Sequence, residues 1–247
     1  MTDGSLPLGI IPARAGSSRF PRKVIAPISN KPMIQYVWES ARACSSLGSV
    51  LVATDDGAVA EVARNFGAQT LLTPESLPSG TDRVAFAARG LQAPIVINLQ
   101  ADEPLLTSEA IDSLVACLQS HPRADIATLA VARRSVEELS DPNVVKVVVT
   151  RDFEAMYFSR KPLASGPNGF FLKHIGIYAY RREALFRFCD LPVSPLEALE
   201  KLEQLRALEN GMKIQVVPTE CDTIAVDVPQ DIEKVEARLL AGRIQGN

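Results

Sequence analysis

Four cations, Arg14, Arg19, Arg22 and Lys23, fall within ten residues of a 247-residue chain whose net charge is −3. They sit in the run Pro12-Ala13-Arg14-Ala15-Gly16-Ser17-Ser18-Arg19-Phe20-Pro21-Arg22-Lys23. Glycine and serine let backbone N–H groups approach an anion closely, and guanidinium and ammonium groups add charge-assisted hydrogen bonds, so the natural partner of such a turn is a polyphosphate. The alternative is a basic loop that simply faces water. No G-x-x-x-x-G-K-[ST] is present and no G-x-G-x-x-G follows the first expected strand. The turn is therefore neither a Walker A loop nor a dinucleotide turn.

Carboxylates form the second group. Asp102, in Asn98-Leu99-Gln100-Ala101-Asp102-Glu103-Pro104, stands at the carboxyl end of the apolar run Ile95–Leu99. Magnesium takes one or two protein carboxylates and draws its other oxygens from phosphates and water, so Asp102 suits a metal ligand as well as it suits a cap on the turn before the next helix. Asp227, in Ala225-Val226-Asp227-Val228-Pro229, either completes that metal site or is an ordinary turn aspartate ahead of the closing helix. Ser79-Gly80-Thr81-Asp82-Arg83 opens a helix whose free N–H groups and hydroxyls can read a base or a phosphate, or serve only as an N-cap. His174 is one of two histidines; a lone histidine is more often a satisfied structural residue than a catalyst, and no Ser/His/Asp or Cys/His arrangement points to a nucleophile.

These groups need a scaffold that gathers them. Short β-branched runs alternate with longer amphipathic segments in the first half, the pattern of parallel strands joined by crossover helices. Strands are expected at Leu8–Pro12, Ser49–Thr54, Gln69–Leu72, Ile95–Leu99 and Ile126–Val131, with helices over Lys31–Ala43, Ala58–Phe66, after Ser79–Gly80 and over Ser108–Gln119. The basic turn then follows strand one directly, where ligands of open α/β sheets gather. Beyond residue 131 the pattern changes: Val144–Thr150, Glu154–Ser159 and Gly176–Tyr180 read as strands without long helices between them, so a smaller inserted lobe is expected around residues 132–195 of a single 1–247 domain. The breaker-rich Ala164–Gly169 reads as an exposed loop. Ser194-Pro195-Leu196-Glu197 is a capping box that opens a helix with Leu196, Leu199, Leu202 and Leu205 on related faces, and a strand at Lys213–Val217 precedes a closing helix over Gln230–Leu240.

Composition sets the limits. Apolar residues make up 47% and charged residues 22%, a balance that supports a substantial core. A slight acidic excess cannot hold a nucleic-acid backbone nonspecifically, so any anion site is local. Cys44, Cys117, Cys189 and Cys221 are widely spaced with no C-x-x-C pair, which suggests neither a disulfide scaffold nor a zinc knuckle and fits a reducing cytoplasm. No signal-like or membrane-spanning run stands out, so no membrane insertion is expected.

Together these residues resemble one family, the CMP-KDO synthetases (3-deoxy-manno-octulosonate cytidylyltransferases). The resemblance runs from about Gly9 to Ala237 and rests on IPARAGSSRFPRK with KPMI downstream, VATDD, SGTDR, INLQADEP, DPNVVKVV, YFSR, HIGIYAYRR, SPLEALEKLEQLR and VDVPQDIEKVE, in family order and near family spacing. It implies a Rossmann-like α/β fold of the nucleotide-diphospho-sugar transferase type: a mixed, mostly parallel sheet flanked by helices, with a smaller dimerisation lobe and a homodimeric assembly. It further implies transfer from CTP to a keto-acid sugar with release of pyrophosphate, assisted by Mg2+.

By the same resemblance Arg14, Arg19 and Lys23 bind the triphosphate, Asp102 and Asp227 hold the metal, and Arg14, Lys23 and Asp102 are the catalytic set. Pro12, Ala13, Gly16 and Ser17 of the turn, with Ser79, Gly80, Arg83 and Gln100, frame the cytidine, while Arg160, His174, Tyr178, Glu203 and Gln204 fall on the sugar-acid side. The chain departs from the family pattern at Ala15, usually tyrosine or tryptophan, at Arg22 and Val24, which flank Lys23 where glycine and proline are usual, and at Ala101, usually glycine. Gln230 replaces a frequent acid, and Pro162–Gly169 is shorter than in many relatives. Two other readings stand beside this one: the same transfer onto an 8-amino variant or a nonulosonate, and a catalytically weak paralogue that binds a nucleotide for regulation.

Overall fold

The computed structural model describes residues 6–14, 16, 20–163 and 166–245. It divides into two compact units, one formed by Met1–Asp112 with Asp222–Asn247 and the other by Ser113–Cys221.

The first unit begins with β1 (Leu8–Ala13), buried along its whole length. The chain then passes through a 3-10 turn at Lys23–Ile25, a hairpin of β2 (Pro27–Ile28) and β3 (Lys31–Pro32), and helix α1 (Met33–Arg42). Helix α1 starts two residues later than the periodicity suggests because Lys31 and Pro32 are taken up by the hairpin. β4 (Ser49–Thr54), α2 (Gly57–Asn65), β5 (Gln69–Leu72), α3 (Gly80–Ala88), β6 (Ile95–Asn98) and α4 (Ser108–Ser120) follow. The strands lie in the order β6-β1-β4-β5, all parallel, as short crossover helices require. β1 takes glycine at position 9 because a Cβ there would stand 3.1 Å from both Leu47 Cδ1 and Leu99 Cδ1. Asp56 caps α2 through Ala58 N–H at 2.7 Å, which fixes where that helix starts after β4.

The second unit carries β7 (Ile126–Arg134), α5 (Val136–Ser140), β8 (Lys146–Val149), β9 (Ala155–Ser159), a 3-10 turn at Pro167–Gly169, β10 (Phe170–Arg181), α6 (Arg182–Asp190), α7 (Pro195–Glu200), α8 (Gln204–Glu209) and β11 (Ile214–Pro218). β11 runs parallel to β7, whereas β7–β10, β10–β8 and β8–β9 are antiparallel. The strands of both units give the α/β, mostly parallel architecture expected from the sequence, with helices between them. β7 and β10 extend beyond the expected strands because Phe170–Ile175 pairs with Leu129–Arg134. Two extra residues, Gly176 and Ile177, bulge from β10 between Ile175 and Tyr178.

One local expectation fails. The capping box at Ser194 is present, with both reciprocal bonds made, but the helix it opens stops at Glu200. Lys201 adopts φ 57°, the left-handed region that ends helices, and α8 restarts at Gln204. The four leucines therefore do not share one face: Leu199 is 76% exposed, while Leu202 and Leu205 are buried. The helices α5 and α6 are additions to the expected pattern; α5, with five residues, is too short to show a period, whereas the nine residues of α6 are amphipathic.

The chain re-enters the first unit at Asp222 and ends in α9 (Gln230–Gln245). Here Val226 and Val235 join Ile28, Met33 and Tyr36 in a buried cluster, with Phe20, Leu105, Ile224, Ile232 and Leu239 packed against it. Tyr36 satisfies its hydroxyl inside this cluster by donating to Ile28 O at 2.9 Å. Each such aliphatic side chain withdrawn from water contributes about 1.5–3 kcal/mol, enough to bind the two ends of the chain together. All four cysteines are free, and burial pushes the Cys44 thiol up to about 12 and the Cys117 thiol up to about 11, far from the thiolate form. Among the described residues no helix is long and apolar enough to cross a membrane.

Candidate active site

Lys23 leaves the 3-10 turn after β1 and places its ammonium 2.6 Å from Asp102 Oδ2, 3.2 Å from Asp227 Oδ1 and 2.8 Å from Val226 O. Three stretches of sequence thus meet at one nitrogen. The turn is held by Lys23 N–H donating to Phe20 O and by Ala26 N–H donating to Lys23 O. The residue that precedes it, Arg22, adopts φ 52°, a left-handed backbone that costs a non-glycine residue about 1–2 kcal/mol. Arg22 Nε in turn donates to Asp56 Oδ2 at 3.1 Å, tying the turn to the cap of α2.

Asp102 arrives on the loop leaving β6, and Val226 N–H donates to its backbone carbonyl at 2.9 Å. That bond stitches the β6 loop to the returning segment one residue before Asp227. Asp231, near the start of α9, accepts from the backbone N–H groups of Asp227 and Val228. Burial works against the Asp231 carboxylate, but the bonds from Lys234, Asp227 and Val228 outweigh it and hold its pKa below the usual range.

Around this centre lies a cavity of about 300 Å³ lined by Pro12, Arg14, Gly16, Lys23, Val24, Gly80, Arg83, Gln100, Ala101, Asp102 and Asp227. Ala13 is wholly buried at the end of β1 and does not line it. Gln100 Nε2 donates to Asn98 Oδ1, and Asn98 Nδ2 donates to Thr81 Oγ1, so a relay of amides joins the exit of β6 to the first turn of α3. Ser79 is the N-cap of α3: its hydroxyl accepts from Asp82 N–H at 3.1 Å and donates to Asp82 Oδ2 at 2.8 Å. Arg83 is only 1% exposed and is bound by Asp55 Oδ2 at 2.6 Å, by Thr73 Oγ1 and by Pro74 O. Ser17 and Arg19 lie outside the described residues.

The residues that the sequence assigns to the sugar-acid side all belong to the second unit. His174 is buried, with Nε2 2.9 Å from Thr128 Oγ1. The bulge in β10 offers the carbonyls of Ile177 and Ile175 to that same hydroxyl, at 2.8 and 3.2 Å. One hydroxyl carries one proton, so the threonine donates to a carbonyl and the histidine donates to the threonine, which assigns the Nε2–H tautomer. Burial lowers the His174 pKa to about 3, so the ring is neutral. The Tyr178 ring packs against His174 at 5.5 Å and a tilt of 46°, and burial followed by the Glu203 carboxylate pushes its phenol well above the ordinary range. Glu203 precedes α8, and Gln204 is buried at its first position. Arg160 follows β9 and donates through Nε to Glu200 O and through Nη1 to Pro142 O, both at 3.1 Å.

The sequence assigned no role to Asp55 and Asp56, which hold Arg83 and Arg22. The signal for them was the pair of acids closing an apolar strand in VATDD. Among the described residues no group of three or more His, Cys, Asp or Glu side chains is placed to hold a metal. What the first unit offers a metal is two carboxylates gathered on one cationic point, a donor set of hard oxygens that suits a cation drawing its remaining ligands from phosphate and water.

A family model described as "Cytidylyltransferase" matches residues 8–214. A 3-deoxy-manno-octulosonate cytidylyltransferase of Solibacter usitatus is 46% identical over 97% of this chain and 96% of its own length. An 8-amino-3,8-dideoxy-manno-octulosonate cytidylyltransferase of Shewanella halifaxensis is also 46% identical, over 93% of this chain and 97% of its own. A solved CMP:2-keto-3-deoxy-manno-octonic acid synthetase, complexed with CTP, superimposes with a TM-score of 0.91 at 40% identity and covers 96% of this chain and 100% of that one. A nucleotidyltransferase fold, a polar cavity at the carboxyl ends of β1 and β6, and this degree of identity along almost the whole chain agree, and the chain belongs to the family of the 3-deoxy-manno-octulosonate cytidylyltransferases.

Proposed function

We propose that this enzyme transfers the cytidylyl group of CTP to the anomeric hydroxyl of 3-deoxy-D-manno-octulosonate, releasing pyrophosphate, and so activates the sugar acid for lipopolysaccharide synthesis. The observation that carries this reading is the meeting of Lys23, Asp102 and Asp227 in a cavity that also presents Arg14 and Arg83. In the reaction the sugar oxygen bonds to the α-phosphorus, the bond from that phosphorus to the bridging oxygen breaks, and the hydroxyl proton is lost. Such a transfer demands alignment and charge neutralisation rather than a covalent enzyme intermediate.

Arg14, Arg19 and Lys23 hold the triphosphate in this scheme and neutralise the leaving pyrophosphate. Pro12, Gly80, Arg83 and Gln100 frame the nucleoside from the walls of the cavity. Arg160, with the neutral His174, Tyr178, Glu203 and Gln204, faces the sugar acid. Magnesium is the metal that we assign to Asp102 and Asp227; when bound, it would offset phosphate charge in the transition state. Lys23 links the two halves, since it belongs to the phosphate-binding turn and pairs with both acids. A cytoplasmic location and a homodimer complete the reading.

Purified protein tested for pyrophosphate release with CTP, Mg2+ and a panel of 3-deoxy-D-manno-octulosonate, its 8-amino analogue and a nine-carbon keto acid decides it. The highest kcat/KM is expected with the first. Preference for the 8-amino analogue, which the Shewanella halifaxensis relative motivates, would reassign the substrate. Binding of CTP without release on any sugar would make the chain a nucleotide-binding regulator.

A further inference from the structure

Glu200, the last residue of α7, makes a set of contacts that its position at a helix end does not require. Its carboxylate accepts from the Ser159 hydroxyl at 3.2 Å and from the Arg160 backbone N–H at 3.0 Å, and its carbonyl accepts from Arg160 Nε at 3.1 Å. One residue therefore grips Arg160 by backbone and side chain together. The carbonyl belongs to the last turn of a helix, where such groups lack an intrahelical partner, so the guanidinium also satisfies α7.

The opposite side of Arg160 is held as firmly. Its carbonyl accepts from Lys146 Nζ at 2.9 Å, and the same ammonium donates to Asp141 O at 2.6 Å. Lys146 is only 1% exposed, and burying an ammonium is costly unless its donors are used. Arg160 Nη1 reaches Pro142 O, so the loop that Lys146 braces is also the one that the guanidinium touches. The bonds to Glu200 O and Pro142 O use Nε and Nη1 of the guanidinium. α8, which begins at Gln204, packs against β9, and the corner Glu200–Gln204 that binds Arg160 also carries Glu203 and Gln204.

We propose that Glu200 is a positioning residue for recognition of the sugar acid: it fixes the direction of the Arg160 guanidinium toward the substrate carboxylate without itself touching substrate. The proposal rests on the reading that Arg160 faces the sugar acid. Glu200 spends its carboxylate inside the protein, on the Ser159 hydroxyl, the Arg160 backbone N–H and the Tyr157 phenol.

The test compares Glu200→Ala, Glu200→Gln, Arg160→Ala and the double variant Arg160→Ala/Glu200→Ala in steady-state assays that vary each substrate. Glu200→Ala is expected to raise the KM for the sugar acid about 10-fold, the scale of a small misplacement, with the KM for CTP within about 2-fold of wild type. Glu200→Gln keeps an acceptor for the Arg160 N–H and recovers most of the loss. The double variant is expected to be no worse than Arg160→Ala, because a residue that acts only through Arg160 has nothing left to position. A readout independent of turnover is the Arg160 Nε–H resonance in 15N NMR, sharp in the wild type and broadened in Glu200→Ala. If Arg160→Ala raises the sugar KM while Glu200→Ala changes neither that KM nor the resonance, the positioning role is wrong and the reading of Arg160 survives. If Arg160→Ala leaves the sugar KM unchanged, the reading of Arg160 falls and takes the proposal with it. Equal rises in both KM values on Glu200→Ala, with a lowered melting temperature, would make Glu200 a purely structural staple.

Discussion

Lys23 Nζ and Asp102 Oδ2 stand 2.6 Å apart across 79 residues of sequence, with Asp227 a further bond away on the same ammonium. Lys23 is largely buried and both acids are partly exposed, so the pair is screened less than a surface ion pair and still open to a ligand. An arrangement of one cation between two carboxylates has a direct consequence for each of its members.

Asp102→Asn removes a hard anionic oxygen at nearly constant volume. Turnover is expected to fall at least about 100-fold, the scale of losing one preorganised charge partner, with the circular dichroism spectrum unchanged. Pyrophosphate release close to the wild-type rate would take Asp102 out of the mechanism.

Lys23→Ala is expected to raise the KM for CTP by about 10-fold or more and the KM for the sugar acid much less, because the loss falls on phosphate binding. Steady-state kinetics with each substrate varied in turn checks this. Equal effects on the two constants would place Lys23 elsewhere in the cycle.

Asp55→Ala leaves the Arg83 guanidinium buried with Thr73 and Pro74 as its remaining partners among the described residues. Breaking one side of a buried pair typically costs about 3–5 kcal/mol. Urea denaturation should show a loss of that size, whereas removing the exposed Arg187–Asp125 pair by Arg187→Ala should cost under about 1 kcal/mol. Similar losses for the two would mean that Arg83 regains water in the folded protein.

His174 makes stability depend on pH. Burial holds its folded pKa at about 3, below the ordinary value of 6.5, so the unfolded chain binds the proton first as the solution is acidified. This contribution is complete above about pH 6.5 and declines as pH falls toward 3, at up to about 1.4 kcal/mol per pH unit. Chemical denaturation of wild type and His174→Gln between pH 4 and 7 should show a steeper loss in the wild type. Parallel curves would mean that the folded protein takes up the proton as readily as the unfolded chain does.

Local signals in the sequence were reliable where one short stretch settles the matter. The bounds of β4 are legible because its apolar, largely β-branched run ends abruptly, and the capping box at Ser194 marks the start of α7 within four residues. The end of α7 was missed, because Lys201 in a left-handed conformation leaves no trace in residue type. Ser79 is legible as a cap, and its hydroxyl accepts from Asp82 N–H accordingly. Arg160 stood out within YFSR, yet nothing nearby marked Glu200, 40 residues away, as the group that holds it.

Residue types, strand and helix periods and the ordered motif blocks of this chain establish its family and its α/β architecture, because each depends on neighbours within a turn or two. The junction of Lys23 with Asp227 across 204 residues is of another kind. It exists because Val226 is buried with Ile28, Met33 and Tyr36 and because its N–H pairs with Asp102 O, so apolar burial and one backbone bond bring the end of the chain back beside β1. Hydrophobic association is not directional and carries no address in the sequence, so only the folded packing decides which acids share a cation.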